Sequence, residues 1–162
     1  MGLRFGAGVP FLFALRYGTG APCDNGGSTF CVLVGSGVMD LDLSFGVLPD
    51  LEITLMGRYG MVGVEPTGSN NIVLGLGIRS YIGPESIFKG FFGVRAILDL
   101  TPAGVVSDGW SDVDAGVRGE AGIQVDFVRY FGLYLQIGVN ITVVRALAIA
   151  PDATGGLQLR VP

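Results

Sequence analysis

In segment after segment of this chain, apolar residues alternate with polar or small ones, and every charge within a segment keeps to one parity. The first segment sets Leu3, Phe5, Ala7, Val9, Phe11, Phe13 and Leu15 against Gly2, Arg4, Gly6, Gly8, Pro10, Leu12, Ala14 and Arg16. A period of two belongs to the β-strand, whose successive side chains point to opposite faces. Met39, Leu41, Leu43, Phe45 and Val47 then alternate with Asp40, Asp42, Ser44 and Gly46, and Leu51, Ile53, Leu55 and Tyr59 with Glu52, Thr54 and Arg58. Further segments follow from 72 to 82 with Arg79 and Tyr81, from 88 to 100 with Lys89, Arg95 and Asp99, and from 113 to 127 with Asp114, Arg118, Glu120, Gln124 and Asp126. Leu133 to Val143 forms a seventh, with Tyr134, Gln136 and Asn140 on the polar parity, and Leu157, Leu159 and Val161 offer a shorter eighth against Gln158 and Arg160.

Eight strands of this length suit a membrane, where a tilted β-strand needs about 9–11 residues. A helical span needs about 20 consecutive apolar residues. Every stretch that approaches this is broken by charges such as Arg16, Asp40, Asp42, Arg95 or Asp99. Yet the chain is 49% apolar, only 15% charged and has a mean hydropathy of +0.57, against roughly 25% charge in ordinary soluble domains. A chain this apolar without a helical span crosses a bilayer only as a closed barrel, which pairs all its backbone groups. Met1 reads as the head of a mature chain, since Gly2-Leu3-Arg4-Phe5 runs straight into patterned sequence.

Connections alternate in length. Short turns fall at Pro49-Asp50, Gly83-Pro84-Glu85 and Val128-Arg129-Tyr130, and longer polar loops at 18–29, 65–70, 102–111 and 145–154. This is the arrangement of an outer-membrane barrel, with the N-terminus and the short turns expected in the periplasm. The expected fold is all-β: a transmembrane up-and-down antiparallel barrel of eight strands, with residues 1–162 as a single barrel domain.

Alternation fits two opposite barrels, and the strand charges decide which face is outward. They are Arg4, Arg16, Asp40, Asp42, Glu52, Arg58, Arg79, Lys89, Arg95, Asp99, Asp114, Arg118, Glu120, Asp126 and Arg160, eight basic and seven acidic in a chain of net charge −4. Near balance suits a crowded lumen, where an unpaired charge costs several kcal/mol. Their parity is also rich in glycine, and the chain has a single lysine. A hydrated exterior would carry many lysines and glutamates, whereas an eight-stranded lumen is only wide enough for side chains to fill. The alternative is a soluble lipocalin-like barrel whose apolar rows line a pocket for a small hydrophobic ligand.

On this pattern the chain resembles the small eight-stranded outer-membrane barrels of the OmpA, OmpX and OmpW kind over essentially its whole length. The hairpin from Phe45 to Leu55, through Leu48-Pro49-Asp50-Leu51, is similar to their periplasmic hairpins. The resemblance implies a bacterial outer-membrane location, contact with lipid and lipopolysaccharide, a monomer with an oligomer as the alternative, no cofactor, and a structural, surface-interaction or minor passive-pore role. It also implies a closing aromatic residue. The chain instead runs Leu159-Arg160-Val161-Pro162, so on that pattern the natural end is expected beyond Pro162.

The candidate site is the lumenal charge network of Asp40, Asp42, Glu52, Arg58, Arg79, Lys89, Arg95, Asp99, Arg118, Glu120 and Asp126. The shortest hairpin turns would set Asp42 opposite Arg58, Arg95 opposite Glu120, and Lys89 opposite Asp126. Such a network either plugs the lumen or forms a gated ion path. Cys23 and Cys31 bracket Asp24-Asn25-Gly26-Gly27 and are candidates for a disulfide in an oxidising periplasm. Asp108, Asp112 and Asp114 are carboxylates of a kind that hard cations favour, but their spacing fits no calcium loop, so no metal site is expected. Trp110, Tyr17, Tyr59, Phe88, Phe127, Tyr130 and Phe131 suit interfacial belts.

Enzymatic and nucleic-acid functions are not expected. The small outer-membrane enzymes of similar build imply a catalytic histidine, and the sequence contains none. Ten basic residues in an acidic chain form no basic stripe.

Overall fold

A computed structural model describes residues 1–15, 30–34, 37–60, 72–83, 85–100, 113–144 and 147–160. Its strands are β1 (Gly2–Leu15), β2 (Phe30–Val34), β3 (Val38–Leu48), β4 (Leu51–Gly60), β5 (Ile72–Ile82), β6 (Phe88–Leu100), β7 (Val113–Val128), β8 (Phe131–Thr142) and β9 (Leu147–Arg160). Each pairs antiparallel with its neighbour from β3 through β9, and β1 pairs with both β3 and β9, closing the sheet. Short β2 lies along the far half of β1 (Phe11↔Val34, Leu15↔Phe30), while β3 lies along the near half (Gly2↔Ser44, Gly8↔Val38). Together β2 and β3 make one stave, so the nine strands form an eight-stave barrel. Closure removes both sheet edges, which would otherwise present unpaired backbone groups to lipid.

The alternation sorts inside from outside. Along β3, Met39, Leu41 and Phe45 are exposed while Val38, Asp40, Asp42 and Ser44 are buried. Phe92, Val94 and Leu98 of β6, Leu135 and Ile137 of β8, and Leu157 and Leu159 of β9 likewise point out. The outward row of β5 runs from Ile72 to Ile82. Ten rises of about 3.3 Å, tilted by about 40°, make a band about 25 Å tall. This is the reverse of a lipocalin-like barrel, whose apolar rows would face the axis.

Two boundaries differ from the sequence reading. Residues 30–34, between the loop expected at 18–29 and the segment starting at Met39, are strand. The last strand is 14 residues long and begins at Leu147, so most of the loop expected at 145–154 is strand. Small residues hid it: Pro151, Ala153 and Gly155 occupy the outward parity where bulky aliphatics had marked the other strands. The loops expected at 18–29, 65–70 and 102–111 lie outside the described residues, as do Tyr17, Cys23, Asp108, Trp110 and Asp112 and the side chain of Cys31.

The short connections close as tight turns. Pro49-Asp50 joins β3 to β4 with a bulge between Gly46 and Leu48, and Arg129-Tyr130 joins β7 to β8 with another between Asp126 and Val128. Gly83 takes φ of 67°, the left-handed region that glycine enters without strain, and its carbonyl accepts from the Ser86 N–H at 3.0 Å. The β3–β4 bulge shifts that register from the simplest expectation, so Arg58 faces Asp40, not Asp42. The β6–β7 ladder has no bulge, and in it Arg95 faces Arg118 and Lys89 faces Gln124, not Glu120 and Asp126.

Candidate functional site: the barrel lumen

Inward side chains from seven of the eight staves fill the barrel with ions, β8 adding only neutral groups, and the ions group by height. At the centre Arg79 (β5) and Arg95 (β6) hold Asp42 (β3) and Glu120 (β7). The Arg95 guanidinium donates to both Asp42 oxygens at 2.7 and 2.8 Å, and to Glu120 Oε1 at 2.7 Å. Arg79 Nη2 donates to Asp42 Oδ2 at 2.7 Å and to Glu120 Oε1 at 2.9 Å. Toward the loops, Arg58 (β4) and Arg118 (β7) hold Asp40 (β3) and Asp152 (β9). Arg58 grips Asp40 by two bonds of 2.6 and 2.7 Å. Asp152 receives both guanidinium groups, at 2.7 Å from Arg58 Nη1 and 2.6 Å from Arg118 Nη1. Arg118 Nη1 also donates to Asn140 Oδ1 at 2.8 Å, and its Nε lies 3.5 Å from Glu120 Oε2, linking the two groups.

Each quartet sets two positive against two negative charges, and all eight side chains are at most 5% exposed. Coulombic attraction strengthens as water is excluded, and bidentate guanidinium–carboxylate bonding answers much of the desolvation cost. Most of these bonds cross the lumen instead of running between neighbours. That is why Arg95 can sit beside Arg118 in the ladder without those like charges deciding the fold.

Glycine makes the room. A Cβ on Gly138 would overlap the Arg118 guanidinium, and one on Gly6 would overlap the Tyr134 hydroxyl. One wall of the lumen is apolar, formed by Met56, Val73 and Ile97 on β4, β5 and β6. These residues, with Phe91, occupy the parity that elsewhere carries polar groups.

Below the central quartet, toward the short turns, Arg4 is buried differently. Its guanidinium carbon lies 4.4 Å from the Phe91 ring centre and 4.7 Å from that of Tyr134. It donates to Gln158 Oε1 at 2.6 Å, Gln124 Oε1 at 2.6 Å and the Tyr81 hydroxyl at 2.9 Å. No carboxylate among the described residues lies within ion-pairing distance of it. At the turn-end mouth a third set is wetter: Lys89 donates to Asp126 at 2.6 Å, and Arg160 lies 3.6 Å from Asp126 and 3.8 Å from Glu52.

Of the residues expected in the network, Asp40, Asp42, Arg58, Arg79, Arg95, Arg118 and Glu120 come together in the two quartets, and Glu52, Lys89 and Asp126 gather at the mouth. Asp99 lies near the loop end of β6, opposite Asp114. Asp114 is buried and accepts from the Ala115 and Val144 N–H groups, so its carboxylate serves the backbone. Among the described residues no group of acidic or cysteine side chains has metal-ligand geometry. The sequence reading missed Asp152, which holds two arginines together. Its signal was continued alternation: Asp152, Thr154, Gly156, Gln158 and Arg160 share one parity.

The chain is similar to the crystal structure of Neisserial surface protein A, with a TM-score of 0.67 at 11% identity, over 98% of this chain and 97% of that one. It is similar to the outer membrane protein OprG from Pseudomonas aeruginosa, with a TM-score of 0.56 at 8% identity, over 98% and 94%. A third likeness is to the N-terminal β-barrel domain of Pseudomonas aeruginosa OprF, with a TM-score of 0.50 at 11% identity, over 94% and 96%. Neither a protein-family model nor a curated protein sequence matches the chain. With eight antiparallel staves, an apolar outer face and an ion-filled interior, the chain has the fold of the small eight-stranded outer-membrane β-barrels.

Proposed function

We propose that this is a non-enzymatic protein of the bacterial outer membrane whose lumen is a structural plug and whose work is done at its surface. The single observation that carries the plug is the pair of neutral quartets spanning the cross-section at the centre and toward the loops, each made of buried guanidinium–carboxylate bonds. A solute would have to separate several such bonds at once, and breaking a buried pair costs about 3–5 kcal/mol. The outward apolar band supports placement in a bilayer. The absence of histidine from the sequence supports the non-enzymatic reading.

Planar-bilayer recording tests the plug. The parent and an Arg95→Ala, Glu120→Ala double variant are expected to give the same traces, with no steady current. A steady parental current that the double substitution alters would replace the plug with a gated ion path. Detergent dependence tests the placement: a protein that stays monomeric in plain buffer is a soluble barrel.

A further inference from the structure

The turn-end mouth holds a half-open recess of about 160 Å3, lined by Gly2, Leu48, Pro49, Glu52, Tyr81, Lys89 and Arg160, among others. Its polar chemistry is lopsided toward donors. Gln158 is 1% exposed and Arg79 is fully buried, yet Gln158 Nε2 and Arg79 Nη1 have no hydrogen-bond partner, and neither do Arg160 Nε and Arg4 Nη1. Gln158 Nε2 lies 3.7 Å from where a Cβ on Gly2 would stand, so it is beside the recess, and Arg79 Nη1 is 3.9 Å from Glu52 on its wall. Lys89 lines the recess with three N–H donors, of which Asp126 engages one.

The carboxylates at this level are already committed. Glu52 accepts from the Tyr81 hydroxyl at 3.0 Å and faces Arg160, while Asp126 accepts from Lys89 and from the Gln124 side-chain amide. With Arg4 held only by neutral acceptors and rings, the buried and half-buried cations here outnumber such carboxylates, Arg4, Lys89 and Arg160 against Glu52 and Asp126, while Asp50, Glu85 and Arg129 on the turns are exposed. Buried donors without acceptors beside a surplus positive charge are the chemistry of an anion site. Leu48 and Pro49 give one wall an apolar surface.

We propose that this recess binds a short-chain carboxylate from the turn side of the barrel, with Lys89 and Arg160 meeting the carboxylate and Leu48 and Pro49 covering its alkyl stub. The site is independent of whether the lumen conducts, because Lys89 and Arg160 belong to neither quartet.

The test is a titration of the refolded barrel in detergent micelles with propionate, read by NMR at the Gln158 side-chain amide and the Gly2 and Gly46 backbone amides, with sodium chloride as the control. Saturable shifts at these groups are expected, with affinity falling about tenfold or more in Lys89→Gln and in Arg160→Gln, as loss of a charge-assisted bond implies. Arg160 is partly exposed, so its variant keeps the test open if Lys89→Gln fails to fold. Shifts that rise linearly, that chloride reproduces, or that survive both substitutions would overturn the proposal. Inorganic phosphate binding at least as well as propionate would overturn the assignment to a carboxylate.

Discussion

Two kinds of buried arginine share this lumen. Arg58, Arg79, Arg95 and Arg118 are neutralised by carboxylates gathered from across the barrel. Arg4, one layer nearer the turns, keeps its charge among two amide oxygens, a phenol and aromatic faces. The quartets balance ion against ion, so removing one member strands the others. The Arg4 cage balances an ion against dipoles and rings, so removing the ion leaves only neutral groups short of a partner. Equal burial therefore implies unequal consequences, and substitutions can measure the difference.

The largest effect is expected at Asp152. Asp152→Ala leaves two guanidinium groups sharing too little negative charge and should cost about 3–5 kcal/mol in urea unfolding from lipid vesicles. A loss below 1 kcal/mol would mean that water enters that level freely. Next is Leu41→Arg, which puts a guanidinium on the lipid face one residue away from Asp42 and should cost about 2–4 kcal/mol in the same assay. If vesicle folding is unchanged, the outward face does not meet hydrocarbon. Arg4→Gln should cost less, about 1–2 kcal/mol, from lost charge-assisted bonds and ring contacts. A cost equal to that of Asp152→Ala would erase the distinction between cage and quartet. The smallest effect is expected at the mouth, where the Asp126 side chain is 16% exposed. Asp126→Asn should cost about 1 kcal/mol or less, because water screens what remains.

Much of this architecture is legible in the sequence because a strand's faces are set locally. Leu41 and Asp42 cannot share a face, whatever the rest of the chain does. The charges at Asp40, Arg58, Arg79, Arg95 and Glu120 therefore read directly as one face of their strands. The sequence was less legible where side chains are small, as in Pro151-Asp152-Ala153-Thr154-Gly155, where alternation persists without bulk to mark it. It was also misleading at turns, because bulges at Val47 and Phe127 offset the simple count from turn to ladder.

What the sequence determined by itself was the parity: which residues share a face, that the apolar face is continuous, and that the charged one is nearly neutral. These follow from the two-residue repeat of the extended backbone. Neighbouring strands alone pair Arg58 with Asp40, Arg95 with Glu120 and Lys89 with Asp126, but the partners met across the lumen were decided by closure. Asp42 finds Arg95 three staves away and Asp152 joins Arg58 to Arg118, because curling the sheet into a narrow cylinder brings distant strands within reach of an arginine side chain. No hairpin register contains those cross-lumen partners, since the distance across the lumen exists only once β1 has met β9.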